Sequence, residues 1–477
     1  MTNDAWVWVL AVFIVYFAIL IAIAVARSRQ MHTMTDYVLG GRGLDKVTAA
    51  LSAGSSASSG WTMLVFPALA FSAGFMHLWT LAAIVLGAWL SWTILAKRLR
   101  RYTIATHNSL TLPEFLEKRF SDRTGLLRTL AAVISLYFIT LYICSGLIAG
   151  AKLLEEVFGL DHSGGGHDIG VVITLIAVVS YTFIGGFLAV CRTDVFQALV
   201  MLAGFIIIPA YILFTVSSPF SGLEDTASGF WNPFTDAENQ PLGLMFFISA
   251  LGWGIGALGA HRILARFMAL RDERSITGSR DLSTLWVAGM FMLALLTGLI
   301  AAPALLDRGV ALPDAERLYL VVADTFFHPL VAGVLLTAVV AAVMSTADSQ
   351  LLLASAIASD DAPVLKRITA AMGRDMKVWM GRLLLLLVGV AAALISILSP
   401  ESVFALVSLA WGGMGAAFGP AIVLALWWRR FNLWGALTAV TAGALASTFW
   451  WLMGLGNEGV ADLTAALGFS GAVDLLS

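Results

Sequence analysis

Ser345 and Thr346 are adjacent hydroxyls inside a long apolar stretch, Ala341-Ala342-Val343-Met344-Ser345-Thr346-Ala347-Asp348-Ser349-Gln350. Two hydroxyls beside free carbonyls could ligate a hard monovalent cation such as sodium without adding net charge. Equally, Ser and Thr in membrane helices commonly bond back to the carbonyl four residues earlier. Asp348 stands apart, because an acid at membrane depth is costly and marks function by default. Its distance from Asp360, about ten residues, also fits a cap on a water-filled inner vestibule. Asp194, after Thr193, could serve an ion pathway or could simply favour the start of its helix through the dipole. Arg192 could pair with either acid, and both options stay open.

A second source of free carbonyls lies in Leu51–Phe66, LSAGSSASSGWTMLVF, within an apolar segment from about Val47 to Phe75. About 20 apolar residues cross a bilayer, yet the centre here is Gly54-Ser55-Ser56-Ala57-Ser58-Ser59-Gly60. Serine competes for backbone hydrogen bonds and glycine leaves the backbone loose. In lipid, such freed groups survive only where protein, water or an ion satisfies them. The stretch therefore reads as a discontinuous helix with a binding centre, or as a small-residue face for close helix packing. Leu242–Ala260 repeats the pattern with Gly252-Trp253-Gly254-Ile255-Gly256-Ala257-Leu258-Gly259. Interrupted segments at matching places of two halves point to an inverted-repeat secondary transporter.

The elements that must position these residues are membrane helices. The chain has 477 residues, 59% hydrophobic and 12% charged, with mean hydropathy +0.89; soluble domains carry about 25% charged residues. This is a polytopic membrane protein. Net charge −2 argues against a nucleic-acid partner, and Cys144 and Cys191 suggest no disulfide framework. Hydropathy predicts twelve spans: 5–26, 47–75, 77–97, 126–155, 168–186, 190–215, 242–260, 282–306, 328–358, 378–398, 402–428 and 431–454. Loops 27–46, 97–128, 262–280, 366–382 and 429–430 hold 4, 8, 5, 5 and 2 Lys or Arg. The loop 216–241 has Glu224, Asp225, Asp236 and Glu238 and no basic residue. The positive-inside rule then places the N-terminus outside and the basic loops in the cytoplasm. The organisation expected is 1–46 as an extra helix and cytoplasmic loop, 47–215 and 242–428 as repeats, 216–241 as an extracytoplasmic loop, and 429–477 as a final helix and tail.

Several stretches resemble the sodium:solute symporters, and most closely the bacterial sodium/proline symporters. They include Asp36-Tyr37-Val38-Leu39-Gly40-Gly41-Arg42, Ser59-Gly60-Trp61, Leu110-Thr111-Leu112-Pro113, Tyr181–Val190, Gly252-Trp253-Gly254 and Ile263-Leu264-Ala265-Arg266-Phe267-Met268. The resemblance implies an all-α integral membrane fold, leucine-transporter-type, with two five-helix inverted repeats and discontinuous helices 2 and 7. It implies a secondary active transporter, not an enzyme, importing a small organic solute such as proline with sodium across the inner membrane. The carried-over sodium ligands are the carbonyls of Ser55, Ser58 and Ala342 and the hydroxyls of Ser345 and Thr346. The carried-over solute pocket is Trp61, Tyr142, Trp253, Ala257 and His261. Departures matter: the proline symporters have an aspartate at Ala57, an aromatic at Ala257, a proline at His261 and a glutamate at His77. These leave room for a weakly sodium-coupled or proton-coupled importer of a larger amino acid, betaine or carboxylate. A transporter-like sensor is the alternative of another class. The partners expected are solute, sodium and membrane lipid, with the oligomeric state open. The family usually has thirteen spans, and the tail after Met453 lacks the last.

Overall fold

In the computed structural model, the residues described are 5–28, 33–160, 165–216, 220, 229–310, 312, 314–362, 374–398 and 402–453. Glu224, Asp225 and the tail after Met453 lie outside them. The described chain is helical: α1 (Ala5–Ser28), α2 (Lys46–Ala57), α3 (Gly60–Ala73), α4 (Leu78–Leu90), α5 (Leu112–Phe120), α6 (Leu126–Phe158) and α7 (His167–Thr215). Then follow α8 (Leu244–Ile255), α9 (His261–Ala269), α10 (Ser275–Asp307), α11 (Leu318–Phe326), α12 (Pro329–Asp361), α13 (Arg374–Leu398), α14 (Val403–Trp427) and α15 (Leu433–Leu452).

Among the described residues, ten helical stretches are long and apolar enough to cross a membrane. Two of them, Gly60–Ala105 and His167–Thr215, have 46 and 49 residues. At 1.5 Å per residue each exceeds twice a ~30 Å hydrocarbon core. The second is divided at Gly186, whose φ of 61° and ψ of −172° no helix holds. That division matches the two expected spans 168–186 and 190–215.

Both expected interruptions are present and both are narrower than the sequence suggested. α2 runs through Gly54, Ser55 and Ser56 to Ala57; only Ser58 (φ −90°, ψ 72°) and Ser59 (φ −82°, ψ −172°) leave the helix before α3. Gly54 stays helical and packs on Trp286, where a Cβ would sit 2.5 Å from the indole. Small residues here thus serve close packing as well as the break. In the second interruption α8 continues to Ile255, a tight 3-10 turn covers Gly256–Leu258, and α9 starts at His261. Gly254 exists for backbone contact: an added Cβ would lie 2.1 Å from the Ala83 carbonyl, and Gly87 meets the Gly254 carbonyl equally closely.

Two of the family-like motifs turn out to be structural. Thr111 caps α5 by accepting from the Glu114 amide (3.2 Å), with Pro113 in the first turn. Arg42 donates to the carbonyls of Met268 (2.6 Å) and Ser109 (2.9 Å), joining the end of α9 to the loop before α5.

Candidate functional site

α12 lies against the α2–α3 break because small and hydroxylated residues face each other there. Ser345 Oγ donates to the Ala342 carbonyl (3.2 Å) and reaches the Ser55 carbonyl at 3.5 Å. Thr346 Oγ1 donates to the Ser56 carbonyl (3.1 Å), and Ser56 Oγ donates back to the Ser345 carbonyl (3.1 Å). Ser55, Ser58, Ala342 and Ser345 are fully buried, and the hydroxyls of Ser55 and Ser58 have no hydrogen-bond partner. Buried polar atoms are nearly always partnered, so this cluster of neutral oxygens suits a hard cation arriving as cargo. The two orphaned hydroxyls leave polar capacity unmet within the cluster.

Beside it is a cavity of about 10 Å³ lined by Ser59, Gly60, Trp61, Tyr142, Val343 and Thr346, among others. That is room for about one water. Trp61 stacks on Trp253 with ring centroids 4.5 Å apart at 20°. Tyr142 OH bonds to Ser59 Oγ (3.0 Å) and accepts from Arg262 Nη2 (3.0 Å). Trp61, Tyr142 and Trp253 are thereby brought to one place.

Trp253, which reaches the site through its stack on Trp61, and Ala257 and His261 are not among that cavity's lining residues. Ala257 is buried, and its carbonyl, freed by the tight turn, accepts from Ser91 Oγ (3.3 Å). His261 has both ring nitrogens committed to protein. A carbonyl only accepts, so Nδ1 donates to Gly259 (3.0 Å), and Nε2 of the neutral ring accepts from Ser135 Oγ (2.8 Å). Phe418 meets the ring edge-on at 4.4 Å. These contacts hold the His261 ring between protein partners on both nitrogens.

The profile of the sodium:solute symporter family matches residues 37–443 of this chain. The chain belongs to that family. Among curated relatives, the osmoregulated proline transporter OpuE of Bacillus subtilis (strain 168) is 36% identical over 449 residues, covering 93% of this chain and 89% of the relative. The sodium/proline symporter of Escherichia coli (strain K12) is 36% identical over 447 residues, covering 92% and 87%. Among solved structures, a Na+-coupled sialic acid symporter in a substrate-bound outward-open state aligns with TM-score 0.73 at 19% identity, covering 93% of this chain and 98% of that one. MhsT in complex with L-phenylalanine aligns with TM-score 0.56 at 15% identity, covering 86% and 98%. The fold is therefore the leucine-transporter type, in a multi-pass membrane protein.

This symporter-family chain also buries charges that the sequence reading left in a loop. Arg262 and Arg266, counted there among the basic residues of 262–280, are fully buried on α9. Arg266 forms an ion pair with Asp194 (3.0 Å), and donates to Ser52 Oγ (3.0 Å) and Ser349 Oγ (2.5 Å). Ser52 Oγ donates to the same Asp194 oxygen (2.5 Å). Asp194's partner is thus Arg266, whereas Arg192 pairs with Asp45 (3.1 Å). Asp348 is fully buried and accepts from Tyr181 OH (2.5 Å), leaving Oδ1 without a partner. It lies inside α12 and caps no exposed vestibule here. The missed signal was the spacing of Arg262 and Arg266, which four residues apart share one helix face with no acid within a helical turn of either.

Proposed function

We propose that the protein is a sodium-coupled importer of a small organic solute, with L-proline the first candidate. One observation carries this: carbonyl oxygens of Ser55 and Ala342 gather with the hydroxyls of Ser345 and Thr346 at a helix break. Ser58 contributes a further carbonyl in this reading. The proline transporters aligned over nine-tenths of the chain support the solute class. Trp61, Tyr142 and Trp253 would form the solute wall, with Ala257 and His261 behind it rather than in contact. Residues 47–215 and 242–428 would act as the two repeats, rocking about the site, and the N-terminus would lie outside the inner membrane. Asp194 and Asp348 would belong to the ion pathway. No catalytic step is assigned.

The test is accumulation of labelled proline in proteoliposomes under an inward sodium gradient. Accumulation that collapses with a sodium ionophore is expected, and uptake indifferent to sodium would overturn the coupling. A sensor would bind solute without accumulating it. A second reading, proton coupling, is favoured by a specific pairing: position 57 holds Ala, whereas Asp348 lies buried with one unpartnered oxygen. Uptake driven by a pH gradient without sodium would select it.

A further inference from the structure

Arg262 is the second residue of α9, the second half of the interrupted helix, and is fully buried. Among the described residues the guanidinium's own hydrogen bonds go to neutral groups, and the nearest charge on its helix is the like-charged Arg266, which donates to the Arg262 carbonyl (2.9 Å). Nε donates to the Ser56 carbonyl (2.9 Å) and Nη2 to Tyr142 OH (3.0 Å). The guanidinium stacks over the Tyr142 ring at 4.2 Å and lies 5.1 Å from the Trp411 ring. Nη1 is buried with no acceptor. No carboxylate lies within ion-pair distance among the described residues, whereas Arg266, one turn on, has Asp194.

An arginine cannot shed its proton in a protein. A buried charge with neutral neighbours alone is costly unless something completes its pairing, and at membrane depth it marks a functional site. Its location says what completes it. Tyr142 OH, which accepts from Arg262, also bonds Ser59, and both Tyr142 and Ser59 line the small cavity. The guanidinium is therefore one hydrogen bond behind the cavity wall. It also shares the Ser56 carbonyl with Thr346, a proposed sodium ligand. A planar guanidinium with a free N–H edge matches a carboxylate, which it binds through two parallel hydrogen bonds.

We propose that Arg262 binds the carboxylate of the transported solute, taking it in place of Tyr142 OH. This assignment rests on the transporter reading above and narrows it: the solute is a monocarboxylate or amino acid, bound with its acid group toward α9. The carboxylate supplies the negative charge that Arg262 lacks.

The test uses the full-length protein in nanodiscs, with L-proline, L-prolinamide, glycine betaine and short monocarboxylates as probes. The wild type should prefer proline to prolinamide by about 100-fold or more, the scale for truncating one partner of a buried charged pair. Arg262→Gln should cost proline about that factor and leave prolinamide unchanged; Arg262→Lys should recover part of the loss. Equal wild-type affinity for proline and prolinamide would overturn the proposal without any variant. So would an Arg262→Gln protein that binds proline normally, or one that loses both probes together. Sodium-driven uptake of a solute without an acid group would refute Arg262's role and leave the transporter reading standing.

Discussion

Removing both hydroxyls with Ser345→Ala and Thr346→Ala should raise the half-saturating sodium concentration by about 30-fold. The figure follows from the bonds these groups already make. Thr346 Oγ1 is already bonded to the Ser56 carbonyl (3.1 Å) and Ser345 Oγ to the Ala342 carbonyl (3.2 Å). Each keeps that donated bond and turns a lone pair to the ion, so an already partnered group adds only the net value of about 1 kcal/mol rather than the gross strength. Two such losses sum to about 2 kcal/mol, or about 30-fold at 1.4 kcal/mol per decade. The assay is initial uptake of labelled proline into proteoliposomes across a sodium series, with maximal rate and thermal stability measured in parallel. An unchanged half-saturation point in a double variant that still transports would refute the ion site. A loss confined to maximal rate would also refute it, since it would place these hydroxyls in the conformational cycle rather than at the ion.

Ala57→Asp restores an acid beside the break and should lower half-saturating sodium by about tenfold, read in the same uptake assay; a rise would show the acid pairing with Arg262 instead. Gly254→Ala should lower the melting temperature markedly, because its Cβ would sit 2.1 Å from the Ala83 carbonyl; Gly252→Ala, with nothing within 4 Å, should be neutral or slightly stabilising in the same scan. Asp314 should make stability fall in acid. Burial would raise its carboxyl, but the Lys152 hydrogen bond and charge outweigh that and hold it below the ordinary 3.8. Its contribution is therefore complete above the ordinary value and fades as pH drops below it; Asp314→Asn should flatten that part of a melting-temperature profile.

The membrane-spanning helices were legible because each is a long apolar run, and glycine clusters marked both interruptions. Their width was not legible. Gly54 and Gly254 carry the same composition as an unwound segment, yet each is helical because a neighbouring ring or backbone needs the room. Ser345 and Thr346 could be nominated from residue type, whereas the role of Ser56 required knowing which carbonyl α12 meets. The charge network was hidden for a different reason. Counting arginines orients loops well, but the count treats Arg262 and Arg266 as solvated. Asp194 and Arg266 are 72 residues apart, so no local pattern couples them, while Arg192 offered a misleading neighbour. His261 was legible as a departure from a proline, not as a ring already satisfied by Gly259 and Ser135.

The buried arginine pair also bears on how the chain is made. Insertion machinery meets α8 and α9 as one segment, Leu244–Ala269, carrying two guanidinium groups. An arginine deep in a span costs about 2.5–3.5 kcal/mol on insertion scales. Asp194 has by then been synthesised and can offset one of them, but Ser349, which Arg266 also grips, is made 83 residues after Arg266. The segment should therefore hold its place in the nascent protein only by leaning on the helix that carries Asp194. A single Asp194→Asn change would then be felt first as misplaced topology at the ribosome, before any solute is moved.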